Sequence, residues 1–153
     1  TVSTSGISKM IIKMADDNVK FNLAVSLHSA IEKTRNEIMP FTKKFPLNDL
    51  KQAIKHWYSK TKKIVTYEYI VWNNINDDDD HINALVDFCK FSPSKVNLIE
   101  YNSTENSLFN SASDNIIDRY IDALEKNKIP VTIRKSRGKD IDAACGQLAN
   151  KLK

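Results

Sequence analysis

Ile64-Val65-Thr66-Tyr67-Glu68-Tyr69-Ile70-Val71-Trp72 is dominated by β-branched and aromatic residues and reads as a strong strand. Elements of helical period lie on both sides of it. Upstream, Leu50, Ala53, Ile54 and Trp57 recur at helical spacing after Asn48, which suits an N-cap. Downstream, Asp77–Asp80 suits a loop and helix N-terminus, where carboxylates oppose the dipole favourably. Ile82, Leu85, Val86 and Cys89 then form the stripe of the next helix. Further out the pattern repeats. Leu23–Leu27 is an almost continuous apolar run, as in a strand covered on both faces, and a short helical stretch over 31–38 stops before Pro40. β-Prone residues 1–4 end at Gly6, and Ile7, Met10, Ile11 and Met14 make a stripe behind them. On the other side come a strand at Val96–Tyr101 and a helix capped by Ser113 with stripe Ile117, Tyr120, Ile121 and Leu124. Pro130 opens a fifth strand, Val131–Lys135, and a last helix-like segment carries Ile141, Ala144, Cys145 and Leu148. Strands alternating with helices predict an α/β fold of consecutive right-handed βαβ units, either a parallel sheet or a partial barrel.

The 153 residues amount to about one domain. Apolar residues make up 41% and charged residues 27%, which suits a soluble globular chain. No apolar run approaches the roughly 20 residues of a membrane helix, so no membrane association is expected. Two cysteines, Cys89 and Cys145, exclude a disulfide-stapled scaffold, and their spacing fits no four-ligand zinc site. The net charge of +4 permits nucleic-acid binding without demanding it. Lysine far outnumbers arginine, a usage that fits AT-rich coding and weakens basicity as evidence. The chain opens at Thr1 without signal-peptide layout, which suggests a clipped chain or an incomplete reading frame.

In parallel α/β folds the working residues gather at the C-terminal ends of strands. Ser3 with Ser5, Ser26 with His28, Asn74 with Asn76, Asn102, and Arg134 with Arg137 fall there. That list predicts a pocket, not a reaction. His28 reads equally as a packed loop histidine. His56 and His81 read as solvated helix residues, and Cys89 as core. Cys145 sits on a stripe that would bury it, yet small Ala144 and Gly146 beside it would let a substrate approach. Asp77–Asp80 lacks the alternating ligands and closing Glu of a calcium loop. A first basic stretch runs from Lys43 to Lys63. A second, Arg134, Lys135, Arg137 and Lys139, borders the expected pocket and could meet phosphates. No Walker loop, GxGxxG, HExxH or GxSxG is present.

Several segments fall into one order. They are Ser3-Thr4-Ser5-Gly6, Ala24-Val25-Ser26-Leu27-His28, Met39-Pro40, Lys43-Lys44-Phe45-Pro46-Leu47, Glu68-Tyr69 and Asn76-Asp77. Lys95-Val96-Asn97-Leu98-Ile99, Asn102 and the run RKSRGKDIDAACGQL over 134–148 complete them. Together they resemble the C-terminal portion of the RlmN/Cfr family of radical S-adenosylmethionine RNA methyltransferases, the RlmN type more than the Cfr type. The resemblance implies the C-terminal part of a partial (β/α)6 TIM-like barrel over residues 1–138. Residues 139–153 would be the segment carrying the methyl-accepting cysteine. It implies methylation of C2 of an adenine in 23S rRNA, and in tRNA, in the cytoplasm, by an enzyme expected to be monomeric and to need an electron donor. The cofactors implied are S-adenosylmethionine and a 4Fe–4S cluster. C2 of adenine is electron-poor, so direct attack on a sulfonium methyl is not feasible. Cys145 would first take a methyl from one S-adenosylmethionine. A second, cleaved reductively at the cluster, would generate a radical on that methyl, which adds to C2; a second cysteine then releases product. Ser3, Ser26, Leu27, His28 and Asn102 match the family's S-adenosylmethionine contacts.

The departures from the family are as informative. The CxxxCxxC cluster motif, the Gly-Glu cofactor motif and the second catalytic cysteine are absent, so no metal ligand is expected in this chain. Where the family has Ala-Pro-Asn the chain has Ser29-Ala30-Ile31, and where it has Pro-Phe-Asn-Pro the chain has Glu100-Tyr101-Asn102-Ser103. The reading is thus a part of such an enzyme, inactive in isolation. The alternatives are a non-catalytic basic RNA-binding α/β module derived from it and a purely structural α/β domain.

Overall fold

Strand alternation is sharpest at the centre of the sheet. Along β3 (Val65–Ile70) the side chains of Val65, Tyr67 and Tyr69 are buried while Thr66, Glu68 and Ile70 are half-buried, a period of two. β4 (Ser94–Ile99) pairs with it in parallel register, Val65 opposite Ser94 through Ile70 opposite Ile99. A computed structural model of the chain describes residues 1–101 and 107–135. In it β1 (Val2–Thr4), β2 (Leu23–Ser26) and β5 (Val131–Arg134) complete a five-stranded parallel sheet in the order β1-β2-β3-β4-β5. The helices are α1 (Ser8–Asp16), α2 (Glu32–Ile38), α3 (Leu47–Thr61), α4 (Asp79–Cys89) and α5 (Asp114–Lys126), with a 3₁₀ turn at Pro40–Lys44.

The strictly sequential strand order decides the architecture. A doubly wound sheet reverses its order and carries helices on both faces. Right-handed crossovers between sequential neighbours instead put all the helices on one side, as in a barrel segment. The core lies on that side: Val25, Tyr67, Tyr69 and Leu98 pack with Ile11, Leu50, Trp57, Phe88 and Tyr120. The opposite face presents Ser26, Glu68, Ile70, Asn97 and Ile99, none of them fully buried. The expected partial barrel is therefore observed.

Several local expectations change. α3 begins at Leu47, so Asn48 lies inside its first turn and is not the cap. The Leu47 N–H is satisfied instead by Glu32 Oε2 at 2.7 Å, a contact from fifteen residues upstream. Met10 points outward at 48% exposure, and the inward stripe of α1 is Ser8, Ile11 and Ala15. Ser113 stands at the N-cap of α5 without a capping hydrogen bond from its side chain, whereas Asp78 caps α4, accepting from the His81 N–H at 2.9 Å. His81 is not solvated: it is buried, its Nδ1 2.7 Å from Asp78 Oδ1 and its Nε2 2.9 Å from Thr34 Oγ1. His56 is half-buried, its Nε2 2.6 Å from the Asp16 carboxylate. Cys89 closes α4 inside the core, and burial pushes its thiol up to about 12, so it is inert as a nucleophile at neutral pH. The expected last helix over 141–148 lies outside the described residues.

Candidate functional site at the C-terminal ends of β1 to β3

β2 ends at Ser26, opposite Glu68. The chain then turns within three residues: the Ser29 N–H donates to the Leu27 carbonyl at 2.7 Å, and His28 between them has φ of +56°. A left-handed histidine is strained and persists only where its surroundings over-determine it. Three contacts do so. The His28 carbonyl accepts from Asn76 Nδ2 at 2.7 Å. Its ring meets Trp72 edge-on at 5.6 Å between centroids. The Ile70 N–H donates to His28 Nδ1 at 3.2 Å.

That last bond fixes the tautomer. A backbone N–H only donates, so Nδ1 must be the unprotonated nitrogen and the proton resides on Nε2. Burial, assisted by the nearby Arg35 charge, lowers the imidazole pKa to about 4. At neutral pH His28 is thus a neutral hydrogen-bond donor through Nε2, not an acid–base group.

Asn76 is the hub behind this turn. It is fully buried, and its Nδ2 also donates to the Ile70 carbonyl at 2.9 Å. Its Oδ1 accepts from the Trp72 N–H at 2.7 Å, and its carbonyl accepts from the Tyr120 hydroxyl at 2.6 Å. Sequence placed Asn76 among pocket residues; the structure makes it the internal anchor of the β2 and β3 ends. Asn74 lies on the exposed turn beside it, its N–H donating to Asp77 Oδ2 at 2.9 Å.

The other sequence candidates fall into three groups. Ser3 and Ser26 lie near the sheet ends on the face away from the helices, Ser3 beside Ala24. Leu27 is wholly buried; its N–H donates to the Glu68 carbonyl at 3.0 Å and its carbonyl accepts from Arg35 Nε at 3.3 Å, so it supports the turn from inside. Arg134 and Lys135 are exposed at the end of β5. Arg134 shares the face of Ser26, while Lys135 borders a cleft with Asp114 and Asp118 of α5. Asn102, Arg137, Lys139 and Cys145 lie outside the described residues.

Two features escaped the sequence reading. A polar row crosses the open face, Ser26 beside Glu68 beside Asn97 beside Thr132. Within it Asn97 Nδ2 donates to Glu68 Oε2 and Thr132 Oγ1 to Asn97 Oδ1, both at 3.0 Å. The period-two alternation of 65–70 contained the signal for Glu68. The second is Arg35, a buried arginine in a chain that otherwise favours lysine; its rarity was the available signal.

Serine hydroxyls, a carboxylate and a fixed imidazole donor along one edge suit a ligand rich in both donors and acceptors, such as a nucleoside. The same residues do not suit an iron–sulfur cluster. Such clusters need several thiolates, the chain has two cysteines, and Cys89 is buried. Among the described residues no group of three His, Cys, Asp or Glu side chains is placed to hold a metal ion. No helix among them is long and apolar enough to cross a membrane.

No protein-family model matches the chain. A protein of Flavobacterium psychrophilum named "Probable dual-specificity RNA methyltransferase RlmN" is 64% identical over 151 residues, 99% of this chain and 44% of that protein. The chain therefore spans less than half the length of the curated relatives it matches. The crystal structure of a radical SAM methyltransferase from Sphaerobacter thermophilus superposes with a TM-score of 0.90 at 36% identity, over 95% of this chain and 43% of that one. A domain of a pyruvate-formate lyase-activating enzyme from Bacteroides vulgatus shares the fold, with a TM-score of 0.64 at 14% identity over 87% of this chain and 79% of that domain. Over almost its whole length the chain is thus similar to one continuous part of the RlmN-type radical SAM methyltransferases.

Proposed function

We propose that this chain is the cofactor-binding and methyl-carrying part of an RNA methyltransferase that modifies C2 of adenine in 23S rRNA and in tRNA. The observation that carries the reading is 64% identity over 99% of the chain to a relative of that name, with the strained, tautomer-fixed His28 turn at the expected strand end. Bound S-adenosylmethionine supplies the methyl group. Ser3, Ser26 and Asn102 bind it through polar side-chain groups, His28 donates from Nε2, and Leu27 holds the turn in place. Cys145, as thiolate, accepts the methyl on sulfur, with the small residues Ala144 and Gly146 as its sequence neighbours. Arg134, Lys135, Arg137 and Lys139 meet RNA phosphates. A 4Fe–4S cluster and the electron donor that reduces it would have to be served by residues other than those described.

The full-length protein, incubated with unmodified 23S rRNA or tRNA, S-adenosylmethionine and a reductant, is expected to form 2-methyladenosine, read by mass spectrometry of digested RNA. Cys145→Ala should abolish it, and retained product would refute the role of Cys145. The isolated chain, reconstituted with iron and sulfide, should gain no stoichiometric cluster absorbance and no methyltransferase activity. A stoichiometric cluster that cleaves S-adenosylmethionine would overturn that part of the reading.

A further inference from the structure

The guanidinium of Arg35 bridges the two turns that carry Ser3, Ser26 and His28. Its side chain is wholly buried on α2. Nη2 donates to the Ser5 carbonyl at 2.9 Å and to the Ser26 carbonyl at 3.4 Å, and Nε donates to the Leu27 carbonyl at 3.3 Å. Regular pairing between β1 and β2 stops at Thr4 opposite Val25. Beyond that point Arg35 joins the two ends, through the Ser5 carbonyl on one side and the Ser26 and Leu27 carbonyls on the other.

The arrangement is costly as a stabilising device. Among the described residues no salt bridge holds Arg35; the charge of Glu32, whose carboxylate accepts from the Leu47 N–H, only partly offsets the effect of burial on the guanidinium. Burial lowers the guanidinium pKa to about 10, and Nη1 is enclosed without a partner. Taking a charge out of water carries a desolvation cost of several kcal/mol that an apolar residue in the same place would not carry. What an apolar residue could not do is hold three carbonyls from two loops at a fixed spacing. Gly6 is fitted to the same contact. Its φ is +95°, and a Cβ there would lie 2.9 Å from Arg35 Nη2. Arg35 also acts at a distance, because its charge helps keep the His28 imidazole neutral.

We propose that Arg35 is a positioning residue for the nucleoside ligand, setting the gap between the Ser3–Gly6 and Ser26–His28 turns. The inference rests on the reading that these turns bind S-adenosylmethionine. It acts through backbone carbonyls and need not touch the ligand.

The test measures S-adenosylmethionine binding to the full-length protein by calorimetry across pH, with thermal melting beside it. Arg35→Met should weaken binding by about tenfold or more, the scale of lost charge-assisted hydrogen bonds. It should also move the acid limb of binding to higher pH, because His28 protonates more easily without the neighbouring cation; the melting temperature should fall as three carbonyls lose their donor, so binding is compared where melting shows the variant folded. Arg35→Lys keeps the charge but cannot span the three carbonyls, so the acid limb should return and only part of the affinity. Gly6→Ala reaches the same contact from the other side and should weaken binding in the same direction, which covers the case of a misfolded Arg35→Met. Affinity within twofold of wild type in a folded Arg35→Met or Gly6→Ala protein overturns the positioning role alone. A folded wild-type protein that binds no S-adenosylmethionine overturns the ligand reading, and this inference with it.

Discussion

The C-terminal end of β2 and the C-terminal end of β5 are built on opposite terms. The first is a strained turn held by buried polar groups: Asn76 from the β3 side, Arg35 from the β1 side, and the Ile70 N–H on its histidine. The second is a four-residue strand whose Thr132, Ile133 and Arg134 are exposed and which pairs, among the described residues, with β4 alone. Hydrogen-bonded buried groups are directional and costly to break, so they fix geometry; a lightly covered edge fixes little. The difference teaches where this fold demands accuracy. It holds the turn carrying Ser26 and His28 and leaves the end of β5 lightly covered.

The hardest blow to the held end is Asn76→Ala. It leaves the Trp72 N–H and the His28 and Ile70 carbonyls without their side-chain partner. Each buried orphan costs about 1–3 kcal/mol. A total near 4 kcal/mol is expected, large enough to threaten a domain of ordinary stability. Chemical denaturation measures it. A loss below about 1 kcal/mol would mean the turn does not depend on Asn76, and the contrast with β5 would fail.

The second effect is a dependence on pH. His28 has a pKa of about 4 in the folded protein against an ordinary 6.5. As pH falls below 6.5 the unfolded chain takes up the proton first, so stability held above pH 6.5 is lost progressively between 6.5 and 4. The loss attributable to this group approaches about 3 kcal/mol. His28→Asn should remove that slope, since asparagine tolerates the left-handed backbone and does not titrate. Denaturation midpoints for both proteins across that range provide the measurement. Parallel slopes would show that His28 is already free to protonate.

The order of elements was legible because strand and helix periods differ, and 64–72 in particular could be little else. The burial of Cys89 was legible for the same reason: it lies on a helical stripe. What escaped was held by distant contacts. The start of α3 depends on Glu32, and the cradle around His81 on Thr34, 47 residues away. Asn76 looked like a pocket residue because only the fold reveals that His28, 48 positions earlier, is its partner. Arg35 reaches Ser5 across 30 residues, and no local pattern announces such a link. Of the site, sequence located the strand ends that form it, but not the groups that hold them there.

The smallest predicted effect is also the sharpest check on the comparison. Ile133 lies on the helix side of β5, opposite Leu98, yet is 50% exposed. Ile133→Thr keeps the β-branch and the strand preference, so only partly buried apolar surface is lost. Stability should fall by less than about 0.5 kcal/mol, within the range of surface substitutions. A fall above 1.5 kcal/mol in the same denaturation assay would show that β5 is packed against further chain in solution. The end of β5 would then be as firmly held as the His28 turn, and the contrast between the two ends would fail.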